Sequence, residues 1–237
     1  MINRISIVML WLTFVLVFVV TGCEQRQKEE TPAHITLIGP NFVVPDYVLQ
    51  AIEATGGYTA WEDCEQIEFD AVVTFYQPDG SFYLTQQHYR ISPWLDSIHI
   101  SGTPDAGQLP QNNFPEAILN IVTAPVRFLD KSLLFTRDPN AVRMEGQWYY
   151  PIEQDRLISK DIPYWSKVVF YQNRDNSLVD MIWLATADEK EFLAVRGYDY
   201  DELQKGGVMV PAKIEVFTSD SEVVCRQRLV KIDLFRK

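Results

Sequence analysis

The sequence has little of what an enzyme or a nucleic-acid binder needs. Histidine occurs three times, at His34, His88 and His99, too few and too scattered for metal-ligand spacing. His88 and His99 fall on neighbouring predicted strands, where ordinary polar positions account for them. There is no Cys-x-x-Cys, which removes a thioredoxin-like motif and a zinc ribbon. No Gly-x-Ser-x-Gly, His-Glu-x-x-His, Ser-x-x-Lys, P-loop or Gly-x-Gly-x-x-Gly is present, so an enzyme reading has no motif behind it. A non-enzymatic chain with no cofactor, no metal and no catalytic residue is expected. Basic residues are also short, with 21 Lys and Arg against 32 Asp and Glu. Phosphate neutralisation needs the opposite balance, so nucleic acid is excluded as a partner. Asp199, Asp201 and Glu202 read as a solvated acidic loop, with a cation site as the alternative; EF-hand order is missing.

What the chain does have is one long apolar run at its start. Met1–Ser6 carries a single charge, Arg4; Ile7–Val20 is almost wholly apolar; Val20-Thr21-Gly22-Cys23 closes the run. A basic start, an apolar centre and small residues at the exit describe a secretory signal. The run is shorter than the roughly 20 residues of a spanning helix, which argues against an uncleaved anchor. Its ending resembles the bacterial lipobox, in which the cysteine is acylated and becomes the mature N-terminus. That resemblance makes Cys23 a lipid-attachment site and the membrane a partner through N-terminal acyl chains. Glu24, where an Asp would favour inner-membrane retention, implies a cell-envelope lipoprotein exported to the outer membrane and facing the periplasm.

Removal of residues 1–22 leaves 215 residues with a net charge of −12, enough for a substantial core. So acidic a surface does not dock electrostatically on anionic lipid, which leaves the acyl group as the tether. Cys64 and Cys225 remain. In an oxidising compartment they form a disulfide closing a long loop, or they are two unpaired small apolar residues; both readings stay open.

Residues 23–44 carry the lipidated cysteine and a polar, flexible tether broken by Pro32; the folded domain is expected over 45–237. Pro45–Ala54 predicts a helix stopped by Gly56-Gly57, and Tyr58–Cys64 a further helical turn. The period then changes from 3.6 to 2. Strands are predicted over Ile67–Tyr76, Ser81–Ile91 and Trp94–Ser101, the first two joined by Gln77-Pro78-Asp79-Gly80. Phe114–Phe135 interrupts them as an apolar helical stretch, which Pro125 should kink or split, with a second helical piece over Val126–Leu134. Strands resume over Arg143–Tyr150, Trp165–Gln172, Leu178–Ala185, Phe192–Tyr200, Met209–Thr218 and Val223–Phe235. The fold class is α+β: a strongly curved antiparallel sheet of about nine or more strands, an incomplete barrel, with helices packed on its concave face. Trp94, Trp148, Tyr149, Tyr150, Tyr164, Trp165 and Trp183 sit on or beside strands, as core or as core and cavity lining.

Ala51–Gly57 followed by Trp61, the strand from Ile67, Gly146–Tyr150, Trp165–Gln172, Leu178–Ala185, Tyr198, Tyr200, Gly207 and Pro211 together resemble the LolA/LolB-like lipoprotein-carrier superfamily. The resemblance spans about residues 45–235. It implies a half-barrel under a helical lid, holding a hydrophobic ligand such as a lipid acyl chain. The cavity lining it implies is Phe114, Ile118, Ile121, Val122, Phe128, Leu129, Trp148 and Trp165. The alternative is a filled barrel whose outer surface binds a protein partner at the envelope.

Overall fold

The computed structural model describes residues 44–102, 114–130, 132–156, 164–202, 206–221 and 223–235. The signal, Cys23 and the tether up to residue 43 lie outside the described residues, as do 103–113 of the loop expected over Gly102–Asn113 and 157–163 of the connection expected over Pro151–Pro163, whose first six residues are strand instead.

Pro45 stands just before helix α1 (Asp46–Ala54), with Asp46 in the first turn where the helix dipole favours a carboxylate. The helix ends as a Schellman motif: Gly57 N donates to Ile52 O at 2.9 Å and Gly56 N to Glu53 O at 3.3 Å. Gly56 has φ +113°, and a Cβ there would lie 1.9 Å from Gly207 O, so only glycine fits where this turn meets the 206–208 loop. Helix α2 (Tyr58–Glu62) follows and buries Trp61, whose Nε1 donates to Thr55 Oγ1 at 2.9 Å.

Eleven antiparallel strands then form a single open sheet: β1 (Ile67–Tyr76), β2 (Phe82–Ser92), β3 (Ser97–Ser101), β4 (Leu133–Arg137), β5 (Val142–Met144), β6 (Gln147–Arg156), β7 (Trp165–Asn173), β8 (Val179–Thr186), β9 (Phe192–Glu202), β10 (Met209–Thr218) and β11 (Arg228–Phe235). The order is β3-β2-β1-β11-β10-β9-β8-β7-β6-β4, with β5 pairing β6 off this path. Helix α3 (Phe114–Arg127) packs against β8, β9, β10 and β3, inside the curve. This is the expected incomplete barrel with helices on its concave face.

Alternation along the strands divides the core in two. Val168, Phe170, Ile182, Leu184 and Val195 belong to a large cluster shared with all three helices. Their immediate neighbours Val169, Tyr171, Trp183, Ala185 and Ala194 belong to a smaller one. Successive side chains of a strand point to opposite faces, so the two clusters occupy the inner and outer faces of the sheet. Strand β8 is buried at every position because both of its faces are covered.

Several expectations are corrected. Pro125 does not split the helix: α3 runs through it to Arg127, since a proline in the last turn forfeits one backbone bond while burial holds the rest. The second helical piece over Val126–Leu134 is absent; a turn after Arg127 leads into β4, whose alternation is short enough to be hidden beside the apolar helix. The single strand expected over Arg143–Tyr150 is the hairpin β5–β6, turned at Glu145 (φ 49°) and Gly146 (φ 88°). Two positive φ values match a type I′ turn, but Glu-Gly is not the Asn-Gly that signals one. Trp94 lies in a 3₁₀ turn, Pro93–Leu95, ahead of β3. Residues 219–221 and 223–227 lie off the ladder before β11 begins, closed by Thr218 N donating to Gln227 O at 2.8 Å. The candidate disulfide is not formed: Cys64 and Cys225 are free. Cys64 packs in the inner cluster and Cys225 against the outer one, so the sheet separates them. Burial pushes both thiols up to about 11.

Candidate functional site

Helix α3 is the element that decides what the inner face does. Twelve of its fourteen residues are buried, so it is enclosed on nearly every side and not only along one stripe. Glu116, Asn120, Thr123 and Arg127 recur at helical spacing and make one polar line along it. Arg127 closes the lower end of that line. Its guanidinium pairs with Asp96, on the turn before β3, and its Nε donates to Gln154 Oε1 on β6 at 3.3 Å. Asp96 adopts φ +48°, which lets the turn present its carboxylate. One buried arginine therefore links the turn before the edge strand β3 to β6, the strand next to the opposite edge. Thr123 Oγ1 donates to Leu119 O at 2.7 Å. Asn120 is fully buried, and neither its Oδ1 nor its Nδ2 has a hydrogen-bond partner. Each such atom costs about 1–3 kcal/mol.

The residues expected to line a cavity are mostly brought together here. Phe114, Ile118, Ile121, Val122, Phe128, Leu129 and Trp165 are all in the inner cluster and keep between 1 and 6% of their surface exposed. Among the described residues, these side chains pack together in one close-packed cluster. Phe128, Phe135 and Phe170 meet edge to face at centroid distances of 5.0, 5.3 and 6.0 Å. Beside them Gln172 Nε2 donates to Tyr47 O at 2.8 Å, and the Arg137 guanidinium lies 3.8 Å from the Tyr150 ring centroid. Trp148 stands apart, 38% exposed, with Arg174 over its ring.

The outer face holds what the sequence did not reveal. A cavity of about 520 Å³ opens there, within the range of ligand sites. Val169, Tyr171 and Trp183 form its floor, with Lys167 and Glu153 among its polar lining. Val169 faces Glu153 on one side and Trp183 on the other, in one cross-strand row. The excursion between β10 and β11 makes a wall through Ser221 and Val223, held by Trp183 Nε1 donating to Asp220 O at 3.0 Å. Burial, then Glu153, pushes the Tyr171 hydroxyl up to about 12. Next to this groove lies a buried polar network. Asp180 accepts from Asn173 Nδ2 at 3.1 Å, and Arg196 pairs with Glu145 and donates to Tyr149 Oη at 3.3 Å. Burial raises the Asp180 carboxyl above its ordinary range. Strand alternation signals which of these residues share a face, but not that a distant excursion walls them in.

The two strand histidines do not meet. His88 Nδ1 lies 2.8 Å from Asp70 Oδ1, whereas His99 sits opposite Arg90. Glu202 Oε1 accepts from Gly207 N at 2.9 Å, so that part of the acidic cluster shapes a loop. Among the described residues, no three His, Cys, Asp or Glu side chains gather as metal ligands, and no helix is long and apolar enough to cross a membrane.

No family model matches the chain, and no curated protein is similar to it in sequence. Solved structures are similar in fold. A LolA superfamily protein from Nitrosomonas europaea superposes with a TM-score of 0.50 at 10% identity, over 83% of this chain and 95% of that one. A domain described as an outer membrane lipoprotein-sorting protein, from Vibrio parahaemolyticus, gives a TM-score of 0.45 at 7% identity, over 80% of this chain and 88% of that one. The chain has a LolA/LolB-like fold.

Proposed function

We propose that the chain is a membrane-tethered, non-enzymatic lipoprotein of the cell envelope that binds a hydrophobic ligand, such as a lipid acyl chain, between α3 and the inner face of its half-barrel. The observation that carries this reading is α3 itself: one helix, apolar on almost every side, occupies the concave face and takes the place a ligand would fill. The arrangement is the closed state. Uptake moves α3 off strands β8–β10, and an acyl chain replaces its apolar contacts. The Arg127–Asp96 pair is the bond that such a movement must break. The fold shared with a LolA superfamily protein supports the same reading.

Native mass spectrometry of the protein purified from membranes tests it. A bound or exchangeable lipid is expected, besides the covalent acyl chains. A folded protein that neither carries nor takes up any lipid overturns it. The tether is tested separately: Cys23→Ala should leave the domain folded and release it from membranes. Retention of that variant after a carbonate wash would refute acylation as the anchor.

A second reading has its own support. The inner face packs its own side chains into one cluster, while the outer face offers the groove floored by Val169, Tyr171 and Trp183. On that reading the groove receives a protein partner. A photocrosslinker placed at Thr136, exposed on the groove, discriminates: one dominant protein adduct and no lipid favours the second reading.

A further inference from the structure

Among the described residues of the inner face, Asn120 is a polar side chain that the packing leaves wholly unanswered. Its side chain is entirely buried, halfway along α3, and both ends of its amide lack a partner. Its neighbours on the same polar line are engaged, Thr123 with Leu119 O and Arg127 with Asp96 and Gln154. A leucine has the same branched side-chain skeleton and would leave no polar atom unpaired in this apolar setting. The assignment of oxygen and nitrogen does not matter, since the two ends are equally unanswered.

The chemistry of the amide defines what would answer it. Asn presents one acceptor oxygen beside a donor NH₂. A group that satisfies both ends must both donate and accept. A secondary or primary amide does so. An ester offers acceptors only and leaves Oδ1 unpaired, and a plain hydrocarbon leaves both atoms unpaired. A free carboxylic acid would have to be buried un-ionised at neutral pH, which is costly; an amide is neutral at every pH.

Resting on the reading that the inner face takes a hydrophobic ligand, we propose that Asn120 is its polar anchor and that the preferred ligand is an amide-linked acyl chain. The apolar surface around α3 holds the tail, and Asn120 pairs with the amide at its head.

The test uses the full-length protein held in amphipol, with the dye ANS displaced by oleamide or by methyl oleate. These two ligands share an eighteen-carbon tail and differ in the head group. Oleamide should displace the dye from the wild-type protein at about a tenfold lower concentration than methyl oleate. Asn120→Leu should bring that ratio to about one while leaving methyl oleate no weaker. Asn120→Ala, which only removes atoms, should abolish the preference in the same way. Equal displacement by the two ligands in the wild type, or a preference that survives both substitutions, overturns the role of Asn120. Failure of both ligands to displace the dye from the wild type overturns the hydrophobic-ligand reading beneath it.

Discussion

The two faces of the sheet are built from alternate residues of the same strands, yet they behave differently. The inner face buries Phe170, Ile182 and Leu184 against helices, in a cluster that runs from Val48 to Ile232. The outer face buries Val169, Tyr171 and Trp183 in a cluster of seven residues, covered by a hairpin and a loop, and retains an open groove. Packing against a helix supplies a continuous apolar surface, whereas loops carry backbone groups that need water or specific partners. The contrast teaches that burial alone does not mark a core: both faces keep unpaired buried polar atoms, and the face beneath the loop also keeps an open groove.

The sharpest way to break this comparison is to truncate adjacent residues of β7. Phe170→Ala should cost about 3–5 kcal/mol in urea unfolding, because the Phe128 and Phe135 rings lose a common neighbour. Val169→Ala, one residue away on the other face, should cost about 1–2 kcal/mol. Equal losses would mean that the two faces are one cooperative core.

A smaller and asymmetric effect is expected where α3 is tied to the turn before β3. Asp96→Ala leaves the buried Arg127 guanidinium without its carboxylate and should cost about 2–3 kcal/mol. Arg127→Met leaves a half-exposed Asp96, which water solvates, and takes one long hydrogen bond from the buried, uncharged Gln154, and should cost about 1 kcal/mol. Urea denaturation of the two variants checks the order; a larger loss for Arg127→Met would contradict it.

On the outer face the sign reverses. Burial raises the Asp180 carboxyl above its ordinary 3.8 in the folded state. Folding therefore favours the protonated form, and this contribution is present below pH 3.8 and lost as pH rises through the raised value. Asp180→Asn should be more stable than the wild type at pH 7 by about 1 kcal/mol. The difference should vanish at acid pH, as thermal midpoints across a pH series will show. The smallest effect belongs to the cysteines. Cys225→Ser should change stability by less than about 0.5 kcal/mol. Maleimide should label the half-buried Cys225 faster than the buried Cys64, and both slowly, since both thiols stand at about 11.

Much of this molecule was readable from local pattern. Alternation located most strands, Gln77–Gly80 located the first hairpin turn, and Gly56-Gly57 marked the end of α1 before any contact was known. The family resemblance implied Phe114, Ile118, Ile121, Val122, Phe128, Leu129 and Trp165 as the lining of a cavity, and in the structure they pack into one cluster. Trp148 did not join them, because a residue near a strand end can face solvent whatever its hydrophobicity. The β4 strand escaped because five residues carry little periodicity beside a long apolar helix.

What the sequence determined by itself is therefore the list of local preferences: the apolar run ending at Cys23, the turns, the strand period and the caps. These depend on neighbours within a few residues, where backbone sterics and side-chain polarity act directly. Tertiary structure alone decided that α3 packs on the concave face, that Arg127 links the turn before β3 to β6, and that Asn120 is enclosed without a partner. It also decided that the loop between β10 and β11 walls a groove on the opposite face. Each is a meeting of residues far apart in the chain, set by how eleven strands close around one helix.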